Sequence, residues 1–529
     1  MAPRVLIADQ LSPAAVEIFR QRGVEADVKV GLTKDELIAI IGDYDGLAVR
    51  SATKATREVI AAAKSLKVIG RAGIGVDNVD IPAATAAGVV VMNTPFGNSI
   101  TTAEHAIAMM FALARQIPEA SASTRAGKWE KNRFMGVELT GKTLGLIGCG
   151  NIGSIVAERA VALKMKVVAY DPYLSDKKAL DLGVEKTDLD TLLTRADFIT
   201  VHTPLIDATR NIISREAIAK TKKGVRIINC ARGGLVDEAA LADALKSGHV
   251  AGAALDVFET EPATASPLFA LDNVVCTPHL GAATAEAQEN VALQVAEQMS
   301  DFLLTGAVSN AINMASVTAE EAPRLKPYLE LCRLLGAFAG QLTLVRDGTI
   351  RRVAVEYEGQ VASLNIRPLT AAALAGLLQP MMVGVNMVNA SVAARDHGID
   401  VAETAHDRPS EYLTLVRVTI ETDMLTRSVS GTLFAGSRPR IVEIKGIKVE
   451  ADFAPHMLYV TNQDKPGFIG RFGATLAGAG INIATFHLGR SEQGGDAICL
   501  VSVDEPVPEP VLEMVRTLPL VVQATPLAF

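Results

Sequence analysis

The sequence predicts an α/β protein with two parallel-sheet domains side by side, then an α+β domain and a ferredoxin-like tail. Three observations carry this. Short β-rich runs alternate with helical stretches from residue 1 to about 310, the pattern of parallel sheets covered by helices on both faces. The alternation comes as two consecutive series. The last 75 residues instead read strand, helix, strand, strand, helix, strand, which is the ferredoxin-like order. At roughly 150 residues per domain, 529 residues accommodate three or four such units.

The first series has strands at Arg4–Ala8, Gly46–Val49, Val68–Gly70 and Val89–Met92, with helices or turns such as Pro13–Gln21 and Ile81–Ala87 between them. The second has strands at Thr143–Ile147, Lys166–Tyr170, Phe198–Val201, Arg226–Asn229, Gly252–Leu255 and Val274–Cys276. Two long helices, Thr101–Arg115 and Glu286–Leu304, bracket it. The latter carries Val291, Val295, Met299 and Phe302 on one face at helical spacing. Both helices can cross between domains. Ser316–Pro327 reads as a boundary. Strands are expected within 340–357 and 411–450, around an Ala-rich helical block, Leu369–Ala394. Pro455 marks the last boundary. The tail reads Met457–Thr461, a turn, helix Phe468–Ala479, strands Asn482–Gly489 and Ala497–Val503, helix Pro508–Arg516 and strand Val521–Thr525.

Composition narrows the function classes. The apolar fraction is 49% and the charged fraction 21%, ordinary for a globular protein and unlike a disordered one. A net charge of −8 speaks against nucleic acid as the partner. Five cysteines without a CxxC pair fit neither a zinc site nor a disulfide framework, and a reduced, cytoplasmic setting is expected. The N-terminal apolar run is too short for a signal peptide. The richest apolar stretch, Ile107–Ala114, is far below the twenty or so residues of a membrane span. Neither a metal nor a membrane partner is expected.

The strand Thr143–Ile147 runs into Gly148-Cys149-Gly150-Asn151-Ile152-Gly153 and then a helix. This is GxGxxG in strand–turn–helix context. The first glycine allows the turn, the second lets a diphosphate approach the backbone, and the third allows helix packing. The helix N-terminus favours the anion. Any glycine-rich turn can match the pattern, but Asp171 stands 18 residues beyond Gly153, at the end of the next strand. There it can accept the ribose 2′ and 3′ hydroxyls and repel a 2′-phosphate, so NAD is expected rather than NADP. Cys149 reads as a space-filler.

Three later strands end in Arg232-Gly233-Gly234, in Asp256 through Glu261-Pro262, and in Pro278-His279-Leu280-Gly281. Strand C-termini line the ligand crevice of an open parallel sheet. An Arg, an acid and a His brought together there suit hydride transfer. The His takes a hydroxyl proton, the acid orients the imidazole, and the Arg holds a carboxylate. Spacing leaves Glu259 and Glu261 as competing partners for the His. His105, His202 and His249 carry no assignment.

Together, LGLIGCGNIG with Asp171, NCARGGLVDEAAL, GAALDVFETEP, TPHLGAAT, VRSATK and GRAGIGVDNVD resemble the D-isomer-specific 2-hydroxyacid dehydrogenase family. That resemblance implies two Rossmann-like domains, the cofactor domain inserted in the substrate domain. It places the catalytic Arg, Glu and His on Arg232, Glu261 and His279, and so chooses between the glutamates. It implies NAD contacts at Ile74, Gly148, Gly150, Asn151, Ile152, Gly153, Asp171, Thr203, Cys230, Ala231, Arg232, Asp256, His279, Leu280, Gly281 and Ala282. Ile74 stands where many relatives have threonine.

Within the family, Gly431-Thr432-Leu433-Phe434 with Arg438 and Arg440, and the tail block from Tyr459 to Gly467 followed by Ala479–Ala484, resemble the long branch. That branch oxidises 3-phosphoglycerate and carries an intervening, allosteric-substrate-binding domain and an ACT domain. The implied limits are 1–98 with 283–315 for the substrate domain, 99–282 for the cofactor domain, 316–454 for the intervening domain and 455–529 for the ACT domain. Arg50, Ser51, Arg71, Gly73 and Asn98 are implied to grip the phosphorylated substrate, with Lys131 and Arg133 beside Trp129 as further cations. Asn462, Asp464 and Asn482 are the expected effector residues, the implied effector is L-serine, and a homo-oligomer (dimer or tetramer) is expected. A glyoxylate or hydroxypyruvate reductase and an NAD-sensing corepressor are the competing readings. The phosphate-facing arginines and the ACT tail weigh against both.

Overall fold

The computed structural model describes residues 2–318, 320–343, 348–407 and 411–529. The first sheet holds parallel strands β1 (Arg4–Ile7), β2 (Glu25–Val28), β3 (Gly46–Val49), β4 (Val68–Arg71) and β5 (Val90–Asn93), in the order 2-1-3-4-5. The second holds β6 (Thr143–Ile147), β7 (Lys166–Tyr170), β8 (Glu185–Lys186), β9 (Phe198–Val201), β10 (Val225–Asn229), β11 (Val250–Leu255) and β12 (Val274–Cys276), ordered 12-11-10-9-6-7-8. Strand order reverses at β1/β3 and at β6/β9. Those are the positions where an open sheet leaves a crevice at its strand C-termini.

The helix Ser99–Arg115 packs on the helix Asn151–Ala162 and on β10 to β12, within the second unit. The helix Ala285–Thr305 returns to the first unit and packs on β4, β5 and the helix Pro13–Gln21. Its Val291, Val295 and Met299 share a core with Val5, Ile7 and Val68. Each such side chain contributes about 1.5–3 kcal/mol on burial, enough to fix this crossing. The chain then runs along β5, where Ile312 N–H donates to the Val91 carbonyl and Asn313 Oδ1 accepts from Val91 N–H.

The third sheet comprises β13 (Ile350–Gly359), β14 (Asp400–His406), β15 (Thr414–Thr422), β16 (Thr426–Phe434), β17 (Arg438–Ile444) and β18 (Ile447–Asp452), ordered 14-13-15-16-17-18. The fourth is antiparallel: β19 (His456–Gln463), β20 (Ile483–Arg490), β21 (Asp496–Val503) and β22 (Val521–Ala528), ordered 20-21-19-22. One of its faces is covered by helices Phe468–Gly478 and Glu509–Arg516. Met457, Tyr459, Ile498, Leu500 and Leu527 on its other face belong to the core of the third sheet. Phe338 meets Tyr459 edge-on at 5.9 Å.

The structure corrects several sequence expectations. Residues 340–343 continue the helix Ala322–Thr343, and Pro327 lies inside that helix instead of before it; the 344–347 part of the expected strand lies outside the described residues. Gly336 and Gly340 press onto the backbone of the helix Arg367–Leu378, where a Cβ would stand 2.0 Å from Ala373 O and 2.3 Å from Leu377 O. Glycines that weaken the local helix signal are what allow this approach. The Ala-rich block is two helices, Arg367–Leu378 and Ala390–Asp396. Strands β2, β8 and β14 escape sequence reading because each lies on a sheet edge with mixed exposure and no clean alternation.

Candidate active site

The glycine loop shapes the cofactor side. Gly148 has φ +91°, and a Cβ there would lie 2.6 Å from His202 O. A Cβ on Gly153 would lie 2.0 Å from Gly148 O, whereas one on Gly150 would meet nothing within 4 Å. The second glycine therefore faces open space while the other two pack. Gly150 caps the helix Asn151–Ala162 without a side-chain hydrogen bond, so the first N–H groups remain available to an anion. Ile152 packs on the core beneath, and Asn151 Nδ2 lies 3.5 Å from Pro95 O, across the inter-unit gap.

Asp171 stands beside the glycine loop. Its Oδ2 accepts from Cys149 N–H at 2.7 Å and its Oδ1 from Tyr173 N–H at 2.8 Å. Both bonds lock the carboxylate at the C-terminus of β7. Opposite the glycine loop, Thr203 Oγ1 and His202 Nδ1 are buried without hydrogen-bond partners. Burial pushes His202 down to about 4, and its Nε2 lies 2.9 Å from Thr200 Oγ1. Sequence reading left His202 unassigned; its place after β9, at the strand-order reversal, was the available signal. Burial also raises the Cys149 and Cys230 thiols, which disfavours the reactive thiolate at both. A strand–glycine turn–helix with an open second glycine, an uncapped helix and a pinned carboxylate fits a dinucleotide.

The cleft between the units encloses about 930 Å³ and brings together Arg50, Ser51, Arg71, Gly73, Asn98, Arg232, Glu261, His279 and Ala282. His279 Nδ1 lies 2.7 Å from Glu261 Oε2, and Glu261 Oε1 accepts from Phe258 N–H at 3.0 Å. Glu259 also lines the cleft, but its N–H donates to Glu238 and its carboxylate makes no bond to His279. Geometry thus pairs Glu261 with the imidazole. His279 sits in the left-handed region, φ +57°.

That unusual backbone is held by Asp256. Its fully buried carboxylate accepts from Thr277 Oγ1 at 2.6 Å, Leu280 N–H at 2.7 Å and Gly281 N–H at 2.8 Å, with His105 Nε2 at 3.2 Å. Asp256 is thus spent on the turn His279–Gly281 and does not face the cleft. Arg232 is set by buried Asn229, whose Nδ2 donates to Arg232 O at 2.8 Å and whose Oδ1 accepts from Ala231 N–H at 3.0 Å. A Cβ on Gly233 would fall 1.8 Å from Phe258 O. This glycine lets the Arg232 loop lie directly against the loop of Glu261.

The other cations come from the first sheet. Arg50 N–H donates to Asp9 Oδ2 at 2.6 Å; Asp9 also takes the Thr53 hydroxyl at 2.7 Å. Burial, then the charges of Arg232 and Arg50, lowers Arg71 to about 10. Its Nε and Asn98 Oδ1 are buried without partners, polar groups poised for a ligand. Gly73 N–H donates to Thr94 Oγ1, and Ile74 O accepts from Asn93 Nδ2, each at 2.6 Å. Ile74 does not line the cleft. Neither do Lys131 and Arg133; Arg133 pairs with Glu130, and Trp129 is 87% exposed.

Relatives decide the family. A protein from Methanocaldococcus jannaschii named D-3-phosphoglycerate dehydrogenase is 44% identical over 520 residues, 98% of each chain. The chain belongs to the D-3-phosphoglycerate dehydrogenase family. A member from Bacillus subtilis is 43% identical over 521 residues, again 98% of each chain. Family profiles match the NAD-binding domain of D-isomer-specific 2-hydroxyacid dehydrogenases at residues 107–281, the D-3-phosphoglycerate dehydrogenase intervening domain at 324–445 and the ACT domain at 456–519. A glyoxylate reductase structure from Paecilomyes thermophila superposes with TM-score 0.56 and 31% identity, covering 59% of this chain and 98% of its own. As a family member the chain is an NAD-dependent oxidoreductase. Among the described residues no helix is long and apolar enough to cross a membrane.

In the ACT region the expected effector residues separate. Asp464 Oδ2 binds Arg490 Nη1 at 2.9 Å and Gly494 N–H at 3.0 Å, while Asn482 Nδ2 donates to Asp504 at 2.7 Å. These contacts lie at opposite ends of β21, on the order of 20 Å apart at the strand rise of about 3.3 Å per residue. Asn462 is 3% exposed, and its Oδ1 is buried without a partner.

Proposed function

We propose that the chain oxidises 3-phospho-D-glycerate to 3-phosphohydroxypyruvate in the cytoplasm, as the first step of L-serine biosynthesis. The observation that carries this is the Glu261–His279 pair at 2.7 Å facing a cleft walled by Arg50, Arg71 and Arg232. NAD⁺, when bound at Gly148–Gly153, supplies the hydride acceptor. With Nδ1 held by Glu261, His279 Nε2 takes the proton of the C2 hydroxyl as the hydride leaves the same carbon. Glu261 stabilises the imidazolium that forms. Arg232 holds the substrate carboxylate and the developing carbonyl oxygen. Arg50 and Arg71, with Ser51, Gly73 and Asn98, receive the phosphate end. Thr203, Cys230, Ala231 and the Leu280–Ala282 turn complete the nicotinamide side; Asp256 acts there through that turn, and Ile74, off the cleft, takes no part. The five unpaired cysteines fit a reducing compartment.

L-serine, the pathway product, is the proposed inhibitor. A ligand touching both Asp464 and Asn482 needs ACT units from two copies, because one chain holds these residues at opposite ends of β21. This favours a homo-oligomer, a dimer or tetramer. The test is NADH formation with 3-phosphoglycerate, glycerate and lactate side by side, with and without L-serine. Preference for glycerate would point to a hydroxypyruvate reductase instead, and turnover insensitive to serine would remove the feedback reading.

A further inference from the structure

The loop between β4 and the helix Ile81–Ala86 carries two adjacent residues that the reaction scheme does not use. Asp77 Oδ2 accepts from Arg232 Nε at 2.9 Å. Asp77 follows a strand of the first sheet and Arg232 follows a strand of the second, so this ion pair crosses the cleft; both residues line it. Next to it, Asn78 Nδ2 donates to Arg50 O at 2.7 Å and to Thr53 O at 2.6 Å. One short loop therefore touches both the cation-bearing loop of its own unit and the arginine of the other.

We infer that Asp77 is a positioning residue that holds Nε of Arg232 across the cleft and so aims the guanidinium at the substrate carboxylate. The inference rests on the reading of Arg232 as the group that binds that carboxylate. A guanidinium is a planar fork whose direction is set by whichever acceptors its donors find. Here Nε goes to Asp77 and Nη1 to Ala231 O at 2.7 Å, two acceptors that define the plane. Nη2 is left without a protein acceptor among the described residues and lies over Gly75, where a Cβ would be 1.5 Å away. Gly75 leaves room for that edge to face a ligand.

Charge supplies the second reason for the pair. Arg50, Arg71 and Arg232 surround one cleft, and their mutual repulsion contributes to the lowered affinity of Arg71 for its proton, while Asp77 opposes it. Asp77 is the counter-charge that keeps Arg232 inward among like charges, and the pair forms only when the two units are close. The Asp77 side chain is itself 65% exposed, and exposed ion pairs contribute little to folding. Its effect therefore belongs to substrate binding and not to stability.

The test compares wild type, Asp77→Ala, Asp77→Asn, Arg232→Lys and the double variant Asp77→Ala/Arg232→Lys in steady-state kinetics with 3-phosphoglycerate. Asp77→Ala is expected to lower kcat/KM roughly 10- to 100-fold, mainly through KM, with NAD affinity and Tm unchanged. Asp77→Asn keeps an oxygen that accepts from Nε and should lose less. Lysine has no Nε, so in the Arg232→Lys background Asp77→Ala should change kcat/KM by less than about twofold. Equal losses in both backgrounds, or an unchanged or increased kcat/KM for Asp77→Ala, overturn the inference while leaving Arg232 in its role. Wild-type kcat/KM in Arg232→Lys overturns both.

Discussion

Asp256 and His279 are joined by the turn between them: the His279 N–H donates to Asp256 O at 2.8 Å, and the two following N–H groups donate to the Asp256 carboxylate. Burial alone would raise this acid, but hydrogen bonds from His105, Thr277 and Leu280 outweigh it and hold it below its ordinary value of 3.8. A lowered folded-state pKa stabilises the protein above the unfolded value, and that stability is lost as pH falls from there through the folded one. Asp256→Asn turns a four-fold acceptor into a group whose NH2 opposes backbone donors. We expect a loss of about 2–4 kcal/mol in urea unfolding at pH 7 and a sharp fall in kcat. The variant's unfolding curve should also lose part of its acid sensitivity below pH 4.

His279→Ala should bind NAD nearly as wild type and lower kcat by roughly 10²–10⁴-fold, the range for losing a general base. Glu261→Gln should weaken turnover less and move the acidic limb of the pH–rate profile, since the imidazolium loses its carboxylate. Stopped-flow NADH formation across pH, beside a titration of NAD binding, checks both. Near wild-type turnover in His279→Ala would remove it as the base.

Asp171 is locked by Cys149 and Tyr173 N–H groups, so it cannot swing away from a 2′-phosphate. The unmodified enzyme is therefore expected to use NAD strongly over NADP. Asp171→Ala, combined with an arginine at exposed Tyr173, should shift the ratio of kcat/KM values toward NADP. Efficient NADP turnover by the wild type would contradict this.

Asp464 is held below the ordinary carboxylate range by Gly494 N–H and then Arg490, so it is charged at neutral pH and can face a ligand ammonium group. Asp464→Ala and Asn482→Ala should each abolish serine inhibition, a coupling of typically about 1–3 kcal/mol between sites, while leaving uninhibited turnover within about twofold, because that coupling acts only when the effector is bound. Serine titrations of initial rate decide it. Unchanged inhibition curves would move the effector site elsewhere.

What could be read along the chain was what is encoded locally. The strand, glycine loop, helix and Asp171 span 143–171, and each step constrains its neighbours through turn geometry, so the dinucleotide site was legible without tertiary contacts. The parallel strands were legible as short continuous apolar runs, because they are buried on both faces, and the crossing helix Ala285–Thr305 from its one-sided apolar period. Edge strands such as Glu25–Val28 have no such period. The helix through Pro327 depends on Gly336 and Gly340 meeting another helix, a contact that no local window contains.

The sequence by itself determined the fold class, the cofactor and the delivery of an Arg, an acid and a His to strand ends. Residue spacing allows both glutamates and the family resemblance points to Glu261; the tertiary structure supplies the contact, because the loop packed under Gly233 turns Glu261 toward His279. Only the structure brought Asp77 to Arg232, 155 residues apart in the chain. Such pairs arise where separate sheets close on a cleft, and their geometry is set by packing at the β4 and β10 ends, which local periodicity does not encode.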